Sequence, residues 1–286
     1  VHYAPTGELL KAGIYLGQEK IELRDLPMPP VGENDVLVQN LYSSVCGTDV
    51  AVFFHRPNTG HKVTVGSEFG HETVSRVVKV GKNVTDFTVG ERVYPYPRYA
   101  KGDTRRAGTI GIAAAVALKH FGMGKVMLCD RAAFRLKLAE GLGFAVCNPA
   151  AEDFAAKAAA YFGTAPSLSG ATADIDCWLD AAGAKSILED FLRLGKIESQ
   201  FVSVAVNNQP RTIDLLHMTY AQQSLIGSGG YMPEDAQDVQ EILASGKWDL
   251  ERIITHEFPL PELEQAIRTA GDAEHAGNVV VKMKTA

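Results

Sequence analysis

The chain has 286 residues, 46% of them hydrophobic and 22% charged, with a formal net charge of −6; this suits a folded protein of one large or two ordinary domains. An acidic balance without any Lys/Arg cluster argues against nucleic acid or an anionic membrane as the main partner, and no apolar run nears the ~18 residues of a membrane span. The four cysteines, at positions 46, 129, 147 and 177, include no Cys-x-x-Cys pair and do not read as a disulfide framework. The first residues lack a basic region followed by an apolar core, so no secretory signal is read and a cytoplasmic protein is expected.

From Leu9 to Val93 short apolar runs are broken by Gly, Pro, Asn and Asp, which predicts strands at 12–16, 21–23, 36–41, 72–80 and 92–94. After Gly108 the texture changes. The pattern predicts a helix at 110–121, a strand at 125–129, a helix at 132–142 closed by Gly143, and a strand near Ala145. An Ala-rich helix at 153–162, a strand at 174–179, a helix at 184–194 and strands at 200–206 and 224–227 follow, then a helix at 233–244. Residues 252–284 add a strand, a short helix at 261–270 and a last strand at 278–283. An all-β unit followed by alternating β and α indicates an α/β protein whose second part holds a parallel sheet with covered faces.

Two segments carry metal chemistry. Cys46-Gly47-Thr48-Asp49 and Gly70-His71-Glu72 offer a thiolate, an imidazole and a carboxylate, a donor set that suits a catalytic zinc with one open position. Cys46 and His71 are the candidate ligands, and Glu72 is either a ligand or a close neighbour. Asp49 is placed to orient a ligand imidazole, and the Thr48 hydroxyl to pass a substrate proton toward solvent. Zinc there would act as a Lewis acid on an alcohol oxygen. Cys129, Cys147 and Cys177 read as small buried hydrophobes, and His55, His61, His120, His217, His256 and His275 as structural. Tyr42, Phe53 and Phe54 could line an apolar pocket or belong to the core.

A third segment points to a dinucleotide. In Ala107-Gly108-Thr109-Ile110-Gly111, Gly108 and Gly111 fill the second and third glycine positions of G-x-G-x-x-G, and the helix from Ile110 offers its N-terminal end to phosphate. Asp130 follows the next strand, where an acid bonds the ribose hydroxyls and favours NAD over NADP. Arg131 and Arg135 could stack on adenine or tolerate a phosphate. Arg106 stands at the first glycine position, and residues 94–105 contain no apolar strand, although the central strand of a doubly wound sheet belongs there. Zinc and a dinucleotide together imply hydride exchange with an alcohol carbon.

The chain resembles the zinc-dependent medium-chain dehydrogenases, the alcohol, sorbitol, butanediol and threonine dehydrogenase group. The resemblance is carried by Val45-Cys46-Gly47-Thr48-Asp49, Gly70-His71-Glu72, Val77-Val78-Lys79-Val80-Gly81 and Phe87-Thr88-Val89-Gly90-Glu91-Arg92-Val93. Asp180-Ala181-Ala182-Gly183 and Ile254-Thr255-His256-Glu257-Phe258-Pro259-Leu260 extend it. It implies a GroES-like zinc-bearing domain at 1–98, a Rossmann doubly wound parallel sheet domain at 107–247 and a return to the first domain at 248–286. It also implies zinc held by Cys46, His71 and Glu72, and catalytic roles for Thr48 and Asp49. NAD would lie against Gly108, Thr109, Ile110, Gly111, Asp130 and Arg135, with Gly183 and Val204 near the nicotinamide half. The substrate would be a secondary alcohol, polyol or amino alcohol, or the corresponding ketone. A homo-oligomer, dimer or tetramer, would pair through 224–227.

The departure from this family is a gap of about 60 to 70 residues near 106–108, including the strand that opens a doubly wound unit. Either a segment lies outside this numbering or the chain carries an internal deletion. The alternative function is therefore a non-catalytic or damaged dinucleotide-binding protein with an incomplete zinc site. A zinc-free reductase of the same superfamily is opposed by Cys46, His71 and Glu72.

Overall fold

The computed structural model describes residues 9–56, 62–95, 110–205 and 209–284. The chain divides into two compact units, one of residues 1–105, 254–272 and 278–286, the other of 106–253 and 273–277.

The first unit begins with an antiparallel hairpin of β1 (Leu9–Gly17) and β2 (Lys20–Pro27). Next come β3 (Val36–Ser44), a short helix α1 (Gly47–Phe53), β4 (Glu72–Val80) and the two-residue β5 (Arg92–Val93). β3 and β4 pair antiparallel from Ser44 opposite Glu72 to Val36 opposite Val80. Just beyond β4, the Gly81 N–H donates to the Asp35 carbonyl at 2.8 Å. A Cβ on Gly81 would stand 2.3 Å from the Gly32 carbonyl oxygen and 2.4 Å from that of Glu33. Backbone crowding of this kind leaves room for glycine alone.

The second unit alternates as its sequence pattern predicts. It runs α2 (Ile110–His120), β6 (Met127–Cys129), α3 (Ala133–Gly141), β7 (Ala145–Cys147) and α4 (Phe154–Phe162). A hairpin of β8 (Thr164–Ser167) and β9 (Gly170–Ala173) comes next, then β10 (Cys177–Asp180), α5 (Lys185–Leu194) and β11 (Gln200–Ser203). α6 (Leu215–Ala221), β12 (Ser224–Gly227) and α7 (Pro233–Ala244) follow. Ile112 and Val116 of α2 meet Phe144 and Ile242 in one buried core. Trp248 stacks on Phe144 with ring centroids 5.8 Å apart. Ala158, Ala173 and Ile175 form a second core under the hairpin.

Among the described residues the parallel sheet of this unit lies in two pieces, β6 with β7 and β10-β11-β12 in that order. No described strand joins β6 to β10. A methyl on Gly111, at the start of α2, would touch both Leu128 of β6 and Ala181 just past β10 at 3.8 Å. That is ordinary contact, so close helix–strand packing does not require glycine there.

The chain then returns to the first unit with β13 (Ile254–Pro259), α8 (Leu263–Ala270) and β14 (Asn278–Lys282). They complete a five-stranded sheet of order β13-β14-β3-β4-β5, in which β13 and β14 are parallel and the other pairs antiparallel. Val50 and Phe53 of α1 pack on Ile267 of α8, so Phe53, wholly buried, is core rather than pocket lining. Arg268 lies over the Phe53 ring at 5.0 Å and pairs with Glu19 at 2.9 Å.

Candidate active site

The β3–β4 register assembles the metal centre. Because Ser44 faces Glu72 across the ladder, the residues just past the end of β3 and just before β4 meet at one end of the sheet. Cys46 and His71 occupy those places. Cys46 is the N-cap of α1, in extended conformation (φ −72°, ψ 151°), and its N–H donates to Asp49 Oδ2 at 3.0 Å. The other carboxylate oxygen of Asp49 lies 3.2 Å from His71 Nδ1. One buried carboxylate thereby fixes both the Cys46 backbone and the His71 ring. The Thr48 hydroxyl donates to Cys46 Sγ at 3.2 Å and stands 3.5 Å from His71 Nε2.

Ligand atoms of Cys46, His71 and Glu72 lie within 4.8 Å of one another, the single such group among the described residues. Burial pushes the Cys46 thiol up. Burial also raises the Glu72 carboxyl, against the pull of the His71 charge and hydrogen bonds with Cys46 and Ser44. Burial by itself would lower His71, but its bonds to Asp49 and Cys46 outweigh that and hold it at about 10. Sulfur, nitrogen and oxygen donors converging this closely fit zinc. The carboxylate on Nδ1 fixes the tautomer that presents Nε2 to a metal. Ser44, which sequence reasoning missed, lies opposite Glu72, lowers its carboxyl, and donates to Asn278 Oδ1 at 2.9 Å. Its signal was its place opposite Glu72, which needs the register to be seen.

The dinucleotide candidates fall in separate groups. Gly108 and Thr109 lie outside the described residues, while Ile110 and Gly111 open α2. Asp130 directly follows β6, and its Oδ1 accepts the Ala132 N–H at 2.9 Å. Arg135 Nη1 is 3.9 Å from Asp130 Oδ2, and Arg135 Nε is buried with no hydrogen-bond partner among the described residues. An acid at a strand's carboxyl end beside an orphaned guanidinium N–H fits the sugar–phosphate part of a dinucleotide.

Gly183 and Val204 are drawn together by Asp180, a buried acid that the sequence reading quoted but gave no role. Asp180 Oδ1 accepts the N–H groups of Ala182 at 2.9 Å and Gly183 at 2.7 Å. Its carbonyl accepts those of Val204 at 3.0 Å and Ala205 at 2.8 Å. The residue knots the carboxyl ends of β10 and β11, where ligands of such sheets bind.

Other expectations meet mixed outcomes. His120 is a buried helix residue 3.6 Å from Glu241, and the Tyr42 ring lies under Lys282 at 5.5 Å. Cys147 is buried, but Cys129 is exposed and Cys177 half-buried. The expectation of a buried Cys129 fails because β6 has a described strand neighbour on one flank alone.

Comparisons with known proteins agree with this geometry. Residues 32–137 match the alcohol dehydrogenase GroES-like domain and residues 109–245 the zinc-binding dehydrogenase domain. L-threonine 3-dehydrogenase of Pectobacterium atrosepticum is 23% identical, with 87% of each chain covered. That alignment runs over 322 positions, more than the 286 residues of the chain, so it opens gaps within it. The structure of 2R,3R-butanediol dehydrogenase from Bacillus subtilis superimposes with a TM-score of 0.75 at 16% identity, covering 95% of this chain and 99% of that one. A short chain alcohol dehydrogenase from Escherichia coli CFT073, complexed with NADH, gives 0.78 at 17% identity, covering 96% and 100%. With the GroES-like match on the segment that bears Cys46 and His71 and the dehydrogenase match on the α/β alternation that follows, the chain belongs to the zinc-dependent medium-chain dehydrogenases, oxidoreductases built from a GroES-like and a Rossmann-type domain.

Proposed function

We propose that this protein oxidises a secondary alcohol, polyol or amino alcohol with NAD, and runs the reverse reduction, at a centre built on Cys46, His71 and Glu72. The convergence of those three donors on a position braced by Asp49 carries the reading. When bound, zinc would supply Lewis acidity toward the alcohol oxygen and NAD a hydride acceptor. The rest falls to the chain. Cys46 and His71 hold the metal with Glu72 as third donor, and Asp49 keeps the proton of His71 on Nδ1. Thr48 carries the alcohol proton away through its hydroxyl. Asp130 bonds the ribose hydroxyls and so selects against a 2′-phosphate, while Arg135 stands beside it. Gly183 and Val204 border the nicotinamide half.

The names of relatives, a threonine and a butanediol dehydrogenase, support small hydroxylated substrates. Among the described residues no helix is long and apolar enough to cross a membrane. Four unbridged cysteines support a reducing, cytoplasmic setting. Self-association through β12 is supported by the exposed Leu215, Leu216 and Tyr220 on the adjoining α6.

The test is zinc content by elemental analysis followed by a screen of secondary alcohols with NAD. About one tightly held zinc and NADH formation are expected; a protein that takes up no zinc refutes the reading. The divided sheet favours a second reading, a zinc-holding protein with impaired turnover, which the same screen separates through bound zinc without NADH formation.

A further inference from the structure

Cys129 and Cys147 close their strands side by side. They are register partners in the parallel β6–β7 pair, and each thiol acts electrostatically on the other. Parallel neighbours lie about 4.7–4.9 Å apart and turn their Cβ atoms to the same face. That separation falls within the roughly 4.4–6.8 Å between Cα atoms that a disulfide spans. Cys129 is exposed and Cys147 wholly buried, so a reagent reaches one sulfur and the second lies beside it. Glu152 bonds Cys147 and pairs with Lys157, whose charge also acts on Cys129. Among the described residues these thiols belong to no three-ligand metal group, and nothing in the proposed reaction uses them.

We propose that Cys129 and Cys147 form a reversible disulfide that controls the ribose end of the dinucleotide site. The reagent is a small-molecule disulfide such as oxidised glutathione. The Cys129 sulfur, losing its proton, attacks one sulfur of the reagent and expels the other as a thiol. Cys147, losing its proton, then attacks the mixed disulfide at Cys129 and expels the second thiol. The protein loses two electrons and two protons, and one reagent disulfide becomes two thiols. Although Cys129 as a residue is open to solvent, the protein atoms packed around its thiol and the neighbouring Cys147 push it up to about 12, and burial raises Cys147, so the pair rests protonated and exchanges slowly.

The link acts on Asp130 through the backbone. Asp130 directly follows Cys129, and its N–H donates to the carbonyl of Cys147 at 3.2 Å. Closing an S–S bond of about 2.05 Å between them shifts both peptides that hold Asp130. This consequence rests on Asp130 being the ribose-binding acid.

Zinc-loaded protein is incubated overnight with excess oxidised glutathione at mildly alkaline pH, digested without reductant and mapped by mass spectrometry. NADH affinity is read in parallel by fluorescence, with and without dithiothreitol. The expected result is a linked pair of peptides carrying Cys129 and Cys147 and an NADH dissociation constant raised about tenfold, the loss of one hydrogen bond to a charged group; dithiothreitol reverses both. Cys129→Ser, a change at the exposed partner, abolishes the link and the affinity shift, whereas Cys177→Ser keeps them. Absence of the linked peptides overturns the proposal, and a link that leaves NADH affinity unchanged overturns its control of the site. A link in protein that binds no NADH even when reduced upholds the disulfide and refutes the dinucleotide reading instead.

Discussion

Replacing Asp49 by Asn removes one acceptor from a carboxylate that has two donors to satisfy, the Cys46 N–H at 3.0 Å and His71 Nδ1 at 3.2 Å. An amide has one oxygen and one NH2 group. If the oxygen stays on Cys46, the NH2 faces His71, the ring adopts the other tautomer, and its proton sits on Nε2 where the metal should be. If the oxygen turns to His71, the Cys46 N–H is left buried without a partner, at about 1–3 kcal/mol. Loss of a carboxylate behind a ligand histidine typically weakens metal binding by about 10–100-fold, which is about 1.4–2.7 kcal/mol at 1.36 per decade. Asp49→Asn is therefore expected to lower zinc affinity by that factor in competition with a chromogenic chelator. In the metal-free variant His71 should titrate lower by NMR, since the Asp49 charge that helps hold it at about 10 is gone. Zinc affinity within twofold of the parent protein would show that Asp49 does not brace the centre.

Four further outcomes follow from the same structure. In the metal-free centre His71 sits at about 10 and Cys46 is raised, so both carry protons at neutral pH. Zinc binding should release both, and log affinity should climb by about two per pH unit between pH 6 and 8; a flat profile contradicts the assignment of these ligands. By the same shift, the stability that His71 gives the metal-free fold is fully present below its unfolded pKa of about 6.5. That contribution is lost as pH rises through about 10, which denaturant titrations across that range would detect. Asp180→Ala unties Ala182 and Gly183 and should raise the NADH dissociation constant about tenfold, one charge-assisted hydrogen bond's worth, at unchanged zinc content; unchanged NADH affinity would confine Asp180 to the fold. Gly81→Ala forces a methyl onto two carbonyl oxygens and should destabilise the first unit by about 1–3 kcal/mol, read from the denaturation midpoint.

Most elements and the grouping of Cys46, His71 and Glu72 were legible because each rests on local pattern. The strand Glu72–Val80 and the helix Pro233–Ala244 appear with the predicted limits, the one bounded by turn residues, the other opened by proline. What escaped was short or depended on pairing. α1 spans seven residues between Gly47 and Phe53, too few to show a helical period, so no helix is predicted there. The hairpin of β8 and β9 is polar and contains Pro166, which demotes a strand on sequence grounds. Ser44 and Asp180 gain their roles from register and from hydrogen bonds across strand ends, neither of which a linear spacing encodes. Cys129 was misjudged for a related reason, since burial of a strand residue depends on what flanks the strand.

Among the described residues, the open flank of β6 ties together several facts that otherwise look unrelated. A doubly wound sheet places its first strand at the centre, with the helix after it packed over that strand. In this chain the helix is present as α2, and a methyl added to Gly111 in its first turn would touch both Leu128 and Ala181. The strands on either side belong to separate sheets among the described residues, Cys129 is exposed, and a methyl at Gly111 meets ordinary contacts. Residues 94–105 supply no apolar run to fill the place, and the alignment with a threonine dehydrogenase opens gaps in this chain. The first unit, by contrast, completes its five-stranded sheet and its own core of Val50, Phe53 and Ile267. The metal centre rests wholly on that unit, through β3, α1 and β4. Zinc binding should therefore survive changes in the second unit that abolish dinucleotide binding, and any shortfall in turnover traces to the divided sheet rather than to the metal ligands.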